Sequence, residues 1–255
     1  MDIGSISING FVTMRVLAIA ATAFVFLWQW NEDPGLGTRR WKAALFVLTV
    51  TLLSGLLGAR AWEVIRVEVF GGLVSSPLSL SQASSWYFAG FAITLLGATV
   101  ALKVARVSTL KGLDYLAPGI AIGHALQRIG CFLAGDGCYG HATDLPWGIA
   151  FPNGSVPIDI PVHPTMLYEA ALMAFLFVFL WSRRGSWPAG VSFALCVVVV
   201  GGTIFLIHFI HLAPKVVLGL TEAQLFSLFL VPFGLALLSK ILLNEKTNPT
   251  WKGAL

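Results

Sequence analysis

Residues 189–211 read AGVSFALCVVVVGGTIFLIHFIH, and this stretch of 23 residues contains no Asp, Glu, Lys or Arg. An α-helix needs about 20 apolar residues to cross the hydrocarbon core of a bilayer. The stretch therefore predicts a membrane-spanning helix that carries two histidines, His208 and His211, near its end.

The rest of the chain repeats this pattern. Further apolar runs occupy residues 10–30, 42–59, 86–105, 115–134, 164–182 and 220–243. The chain is 57% hydrophobic and 11% charged, with a mean hydropathy of +0.83, which is typical of a membrane protein and not of a soluble globule. We therefore expect an all-α integral membrane protein, a single polytopic domain over residues 1–255 with about seven transmembrane helices.

The basic residues predict the orientation of these spans. If the N-terminus is outside, three basic residues lie in outer loops, namely Arg60, Arg66 and Lys215. Eleven then lie on the cytoplasmic side: Arg39, Arg40, Lys42, Lys103, Arg106, Lys111, Arg183, Arg184, Lys240, Lys246 and Lys252. Because cytoplasmic loops carry the excess of Lys and Arg, we expect the N-terminus outside and the C-terminus in the cytoplasm. No contiguous basic face is evident, so we expect no binding to nucleic acid.

The segment between the fourth and fifth predicted spans differs from the rest. Residues 135–163 are rich in glycine and proline, which break helices and form turns, so we expect an irregular loop on the outer face. The wider segment 113–169 also concentrates ionisable residues: Asp114, Arg128, Asp136, His141, Asp144, Asp159, His163 and Glu169. An ionisable group at membrane depth usually faces a partner, a cavity or a substrate. The segment therefore predicts the functional site.

Several of these residues have two interpretations. Arg128 either anchors the fourth span at the headgroups or binds an anion in a cavity, and the nearby glycines favour the anion. Glu169 lies about one turn inside the fifth span, as a structural partner of an arginine or as a catalytic acid. His163 lies at the interface, where an imidazole exchanges protons near neutral pH.

The other polar residues leave more alternatives open. His208 and His211 share one helical face and could bind a metal or a phosphate, relay protons, or form a hydrogen-bonded pair. Arg60 either faces the same cavity or pairs with an acidic group. The three cysteines are too few for a disulfide framework, although Cys131 and Cys138 leave one disulfide open. No Cys/His spacing indicates a metal site.

A set of short motifs occurs in a fixed order along the chain. They are Gly58-Ala59-Arg60; Asp114 with Ala117-Pro118-Gly119; Gly123 with Arg128-Ile129-Gly130-Cys131-Phe132; Gly135-Asp136 with Cys138-Tyr139-Gly140; Leu145-Pro146-Trp147-Gly148; His163-Pro164-Thr165 with Tyr168-Glu169; and Gly219-Leu220-Thr221 with Ala223-Gln224. The ordered set resembles the bacterial prolipoprotein diacylglyceryl transferases, most densely over residues 112–170. Each motif alone is weak, but their order makes the resemblance fairly specific.

The resemblance implies a seven-span enzyme of the bacterial inner membrane, with its active site toward the outer leaflet. It implies transfer of the diacylglyceryl group of phosphatidylglycerol to the lipobox cysteine thiol of a preprolipoprotein, with release of glycerol phosphate. The partners implied are phosphatidylglycerol, the preprolipoprotein signal peptide and membrane lipids, without a cofactor or a metal.

The resemblance also implies roles for individual residues. Arg128 matches the family's key arginine and would bind the phosphate, and the catalytic positions are Arg128, Asp136, His163 and Glu169. The substrate-binding positions are Arg60, Tyr87, Asp114, Gly130, Gly135, Gly140, Tyr168, His208 and His211.

Four positions depart from the family's pattern. Tyr87 stands where the family usually has a histidine, and Asn9 stands where it has a tyrosine. The family's late arginine aligns near Ile204, and its late glutamate aligns near His208. These changes leave two alternatives open. One is a paralogous phospholipid-dependent transferase with a different acceptor, and the other is a non-catalytic lipid-binding membrane protein.

Overall fold

A computed structural model describes the backbone of residues 3–70 and 86–247, and the side chains of residues 10–36, 41–58 and 90–246. The described elements are α1 (Ile3–Glu32), α2 (Arg40–Phe70), α3 (Trp86–Val104), α4 (Thr109–Ala134), β1 (Ile149–Phe151), β2 (Ile158–Val162), α5 (Thr165–Ser182), α6 (Val191–Ile207), β3 (Lys215–Val217), β4 (Leu220–Thr221) and α7 (Glu222–Thr247). A 3-10 helix, Pro34–Arg39, precedes α2. Each of the seven apolar runs overlaps one of these helices, which confirms the helical prediction.

Five helical segments in the described part are long and apolar enough to cross a membrane. They are Gly10–Glu32, Trp41–Gly58, Thr109–Ala134, Thr165–Ser182 and Glu222–Lys246. The two others, Gly90–Val104 and Val191–Ile207, are apolar but shorter. These helices are those of a multi-pass membrane protein.

The chain forms two compact units, residues 27–113 and residues 1–26 with 114–255. In the first unit α2 packs closely on α3. A Cβ atom on Gly97 would lie 2.3 Å from the Ser54 Oγ, and one on Gly55 would lie 2.8 Å from the Thr94 Oγ1. Small residues at these positions let the two backbones approach, as is common between membrane helices.

The second unit is built around α4. The Thr22 Oγ1 of α1 donates to the Gly119 carbonyl at 2.8 Å, and a Cβ atom on Gly123 would lie 2.3 Å from that hydroxyl. In the same unit, α6 packs on α7 where Gly201 and Gly234 leave room for the facing side chains. Gly119 and Gly123 let α1 pack closely on α4, the helix that also carries Arg128.

The segment 135–163 is less irregular than its glycine and proline content predicts. β1 and β2 pair antiparallel, with Ile149 opposite Val162 and Phe151 opposite Ile158. A second small hairpin joins β3 to β4. Neither hairpin was expected from the sequence, and both belong to connections between helices, so the helical architecture is unchanged.

The helix α6 ends at Ile207, four residues before its apolar run does. The chain then turns so that the Ile210 carbonyl accepts from the His141 amide at 2.9 Å, and the Leu212 amide donates to the Tyr139 carbonyl at 3.0 Å. These backbone bonds fasten the end of α6 to the segment after α4. They bring the histidine pair to the same end of the unit as Arg128.

Candidate active site

The centre of the site is an ion cluster between α4 and α5. The Arg128 Nε lies 2.8 Å from the Glu169 Oε2, and the His124 Nε2 lies 3.2 Å from the same oxygen. The Arg128 Nε also lies 3.4 Å from the His124 Nε2. Arg128 and Glu169 expose only 7% and 1% of their surfaces, so both charges are buried. Glu169 is therefore the ion-pair partner of Arg128, which was one of its two predicted roles.

Two buried atoms beside this cluster have no hydrogen-bond partner in the described part of the chain. They are the Glu169 Oε1 and the His211 Nδ1. Buried polar atoms are nearly always satisfied by protein, water or a ligand. Their position next to a buried arginine indicates that the region accommodates a polar group from outside the chain.

The two histidines after α6 form a stacked pair. Their ring centroids are 4.6 Å apart, with an interplanar angle of 18°. The His208 Nδ1 lies 3.0 Å from the Thr221 Oγ1, and Thr221 is held in turn by Gln224. Both rings are close enough to Glu169 to interact with its charge. The pair therefore lies close to the ion cluster, and its substrate-binding role stays a prediction.

Gly140 acts through its lack of a side chain. A Cβ atom there would lie 2.5 Å from the Ile210 carbonyl oxygen and 2.9 Å from the His163 Cβ. Gly140 and His211 form an isolated antiparallel bridge at this contact. The glycine thus allows the loop after α4 to dock on the end of α6.

The segment after α4 gathers three ionisable side chains. The Cys131 Sγ, the Cys138 Sγ and an Asp136 carboxylate oxygen all lie within 4.8 Å of one another. Both cysteines are free thiols in this structure, so they do not form the disulfide that the sequence left open. Burial raises the pKa of Asp136 to about 7. A hydrogen bond with Cys131 lowers the pKa of Cys138, and His211 and Arg128 shift that pKa in the same direction.

His163 and Tyr168 form a more exposed polar group at the start of α5. The His163 Nδ1 lies 3.3 Å from the Tyr168 hydroxyl, which also accepts a 2.8 Å hydrogen bond from the Trp147 Nε1. Tyr168 precedes Glu169, and consecutive side chains on a helix point about 100° apart. Tyr168 therefore faces the 142–162 segment while Glu169 faces α4.

Comparison with known proteins assigns most of the chain to one family. The sequence profile described as prolipoprotein diacylglyceryl transferase matches residues 1–240. The chain belongs to the prolipoprotein diacylglyceryl transferase family. A phosphatidylglycerol–prolipoprotein diacylglyceryl transferase of Clostridium tetani is 32% identical over 245 residues, which cover 92% of this chain and 93% of that protein.

Other members of the diacylglyceryl transferase family are similar at the same level. The relative of the same name in Solidesulfovibrio magneticus is 31% identical over 258 residues, covering 94% of this chain and 92% of its own. The one in Cupriavidus metallidurans is 30% identical over 220 residues, covering 82% and 79%. The resemblance inferred from the ordered motifs is thereby confirmed over nearly the full length.

Some predicted site positions of this family member lie apart from the ion cluster. Asp114 caps α6: its Oδ2 accepts from the Gly190 amide at 2.6 Å and its Oδ1 from the Phe193 amide at 2.8 Å. It lies 14 residues before Arg128 on α4, or about 21 Å along the helix. Gly130 faces α1, where a Cβ atom would lie 3.0 Å from the Met14 Cβ. Asp114 and Gly130 thus make contacts between helices. Gly135, with a φ of 55°, forms the turn that ends α4.

Three other predicted positions fall outside the described side chains. They are Arg60, Tyr87 and Asn9. Their roles stay predictions based on the family resemblance. Ile204 is described and lies in α6, one turn before His208.

Two features of the candidate site were not predicted from the sequence. His124 was passed over, although its spacing of four residues from Arg128 on a helix predicts contact between the two side chains. The grouping of Cys131, Asp136 and Cys138 was missed because their spacing matches no familiar ligand motif. It depends on the glycine turn between them, which no periodicity reveals.

Proposed function

We propose that this chain transfers the diacylglyceryl group of phosphatidylglycerol to the lipobox cysteine of a prolipoprotein and releases glycerol phosphate. Relatives that match most of the chain bear the name of this activity. The observation that carries the proposal is the ion pair between buried Arg128 and buried Glu169, beside the half-buried His124. In this cluster Glu169 orients the Arg128 guanidinium, which would bind the phosphate and matches the family's key arginine.

The reaction explains why a fixed cation is needed. The sulfur of the acceptor attacks the carbon that bears the phosphate ester, a carbon–sulfur bond forms, and the carbon–oxygen bond breaks. The electron pair of that bond leaves on the phosphate oxygen, and the thiol proton passes to a base. A guanidinium whose orientation is fixed by Glu169 stabilises the charge that develops on the departing phosphate. His163, Asp136 and the pair His208–His211 are proposed to organise the substrates around it.

The proposal places the reaction in the bacterial inner membrane, at its outer leaflet. The distribution of basic residues supports an outside N-terminus and seven spans. In that orientation the loop 135–163, which borders the ion cluster, lies on the outer side. A secreted prolipoprotein would then reach the site from the side to which it has been exported.

The decisive test uses purified full-length protein in phosphatidylglycerol-containing micelles with a lipobox peptide. We expect a diacylglyceryl mass increase on the peptide cysteine and an equal amount of released glycerol phosphate. Arg128→Ala should reduce turnover by about 100-fold or more, the usual effect of removing a preorganised charge donor. The matched control is Arg184→Ala, because Arg184 is an exposed arginine that stacks on Trp181.

The other outcomes separate the alternatives. Release of glycerol phosphate without modification of the peptide would indicate a different acceptor. This is the second candidate function, and it is favoured by the histidine at position 208, where the family has a glutamate. Lipid binding without release with any acceptor would overturn the enzymatic proposal. Unchanged turnover in Arg128→Ala would overturn the assigned role of this arginine.

A further inference from the structure

The hairpin between α6 and α7 exposes an apolar tip. Its strands β3 and β4 pair antiparallel, and the turn between them consists of Leu218 and Gly219. The side chains that lead to the turn and form it are apolar and exposed: Val216, Val217 and Leu218 expose 55%, 51% and 91% of their surfaces. Contiguous exposed apolar side chains mark a surface that contacts a membrane or another molecule.

The turn at this tip has a backbone that leucine rarely adopts. Leu218 has a φ of 52° and Gly219 a φ of 73°. Two successive positive φ angles are those of a type I′ turn, in which Asn-Gly is a favoured pair. Leucine pays the steric cost of the left-handed region and has no polar side-chain atom with which to offset it. In water its exposure would add a second cost, so this turn is suited to an apolar environment.

The two strands of the hairpin differ in how they are held. In β4 the buried Thr221 has its Oγ1 3.0 Å from the His208 Nδ1, so this strand is fastened to the histidine pair. All three residues of β3 are exposed in the described chain. An isolated two-stranded hairpin is marginally stable in water and needs a further surface to pack on. The tip and β3 therefore require a partner from outside the chain.

The surroundings of the hairpin identify lipid as that partner. The chain that leads into it exposes Leu206, Phe209 and Leu212, and the candidate membrane span of α7 begins at Glu222, directly after β4. The apolar tip thus continues the exposed apolar surface of two membrane helices. A projecting turn suits insertion into lipid, whereas capture of a peptide or small ligand needs a concave site. The exposed Lys215 at the base of β3 can reach anionic headgroups while its stem follows the apolar surface.

We propose that the β3–β4 hairpin inserts its Leu218 tip into the bilayer leaflet on the side of the ion cluster, with phospholipid as its partner. In the orientation proposed above this is the outer leaflet. Lys215 lies at the headgroups, and the tip reaches the acyl chains. Because Thr221 contacts His208, the inserted hairpin also ties the histidine pair to the surface of that leaflet. Insertion does not depend on the transfer reaction.

The first experiment measures the depth of the tip in a bilayer. Full-length protein with Leu218→Cys is labelled with an environment-sensitive fluorophore and placed in vesicles of phosphatidylglycerol and phosphatidylethanolamine. We expect quenching by lipids that carry a nitroxide on the acyl chain, above the background that the parent gives from Cys138. Asn153→Cys is the matched control, because Asn153 lies in an exposed polar turn between β1 and β2. Quenching at position 218 no greater than at position 153 would overturn the insertion.

The second experiment separates insertion from folding of the hairpin, with the fluorophore at Val216→Cys. Leu218→Asn keeps the turn, because Asn-Gly is a favoured pair, but removes the apolar tip. We expect it to lower the ratio of inserted to free hairpin by about tenfold, as for loss of one buried leucine side chain. Leu218→Met, which stays apolar, should leave the ratio unchanged. Equal quenching in both variants would overturn the role of the tip.

The same labelled protein tests the other partners. A fluorophore at position 218 that responds to a lipobox peptide, but not to the nitroxide lipids, would overturn the bilayer as partner and indicate peptide docking. A response only to protein concentration would overturn it in favour of a second copy of the chain. These measurements do not require turnover, so failure of the transferase assay with intact lipid quenching would count against the proposed function and not against the insertion.

Discussion

At the scale of single residues, the Arg128–Glu169 pair predicts a loss of both stability and activity. In Glu169→Gln the carboxylate that faces the Arg128 Nε at 2.8 Å becomes neutral while its shape is kept. Breaking a buried ion pair by removing one partner costs about 3–5 kcal/mol, because the other charge stays buried. We expect a lower free energy of unfolding in micelles, measured by denaturant titration, together with reduced glycerol phosphate release.

The control for this substitution is Glu222→Gln, at an exposed glutamate in the first turn of α7. We expect it to leave the free energy of unfolding within about 0.5 kcal/mol of the parent, as for most surface changes. A Glu169→Gln variant as stable as this control would show that the pair contributes nothing to folding.

At the same scale, the cap that Asp114 forms on α6 predicts an effect on stability. Asp114→Ala removes both bonds to the first turn of α6, and loss of a helix cap costs about 0.5–2 kcal/mol. We expect reduced stability but an unchanged KM for the lipid, measured on folded protein. Asp144→Ala, in an exposed loop, is the control for removal of a carboxylate. An increase of KM without loss of stability would restore the substrate-binding role that the family resemblance implied.

At the scale of elements, the docking of the 135–141 segment on the end of α6 depends on a glycine. Gly140→Ala would place a Cβ atom 2.5 Å from the Ile210 carbonyl oxygen, so one of the two backbones must move. His211 follows Ile210, and we expect its displacement to lower turnover by about tenfold or more, since about 1.4 kcal/mol corresponds to a factor of ten. The measurement is peptide modification per folded molecule.

The matched control is another glycine with free space around it. Gly202 lies within α6, and no atom lies within 4 Å of the Cβ position there. Because alanine is favoured over glycine in a helix by about 1 kcal/mol, Gly202→Ala should be neutral or stabilising. If both alanine variants retained full turnover, the docking contact would have no part in activity.

At the scale of the whole molecule, the sequence predicted what composition and period determine. Apolar runs located the seven α-helices of residues 3–70 and 86–247, because a helix that enters a bilayer needs a long run of apolar side chains. The β1–β2 hairpin was missed because strands of three and five residues carry little periodic signal and depend on pairing partners. The Cys131–Asp136–Cys138 group was missed for a related reason, since only the turn at Gly135 and Gly137 brings the three side chains together.

The orientation of the molecule remains a prediction from the basic residues, and two exposed loop positions test it. Asp144→Cys and Ser186→Cys each place a thiol in an exposed loop, one on either side of α5. Of the native thiols, Cys131 and Cys196 are buried, so the parent gives the background from Cys138. We expect a membrane-impermeant maleimide to label Asp144→Cys in intact cells and Ser186→Cys only after the membrane is opened. The reverse pattern would place the ion cluster at the cytoplasmic face, where an exported prolipoprotein could not reach it, and would contradict both the positive-inside assignment and the proposed site of transfer.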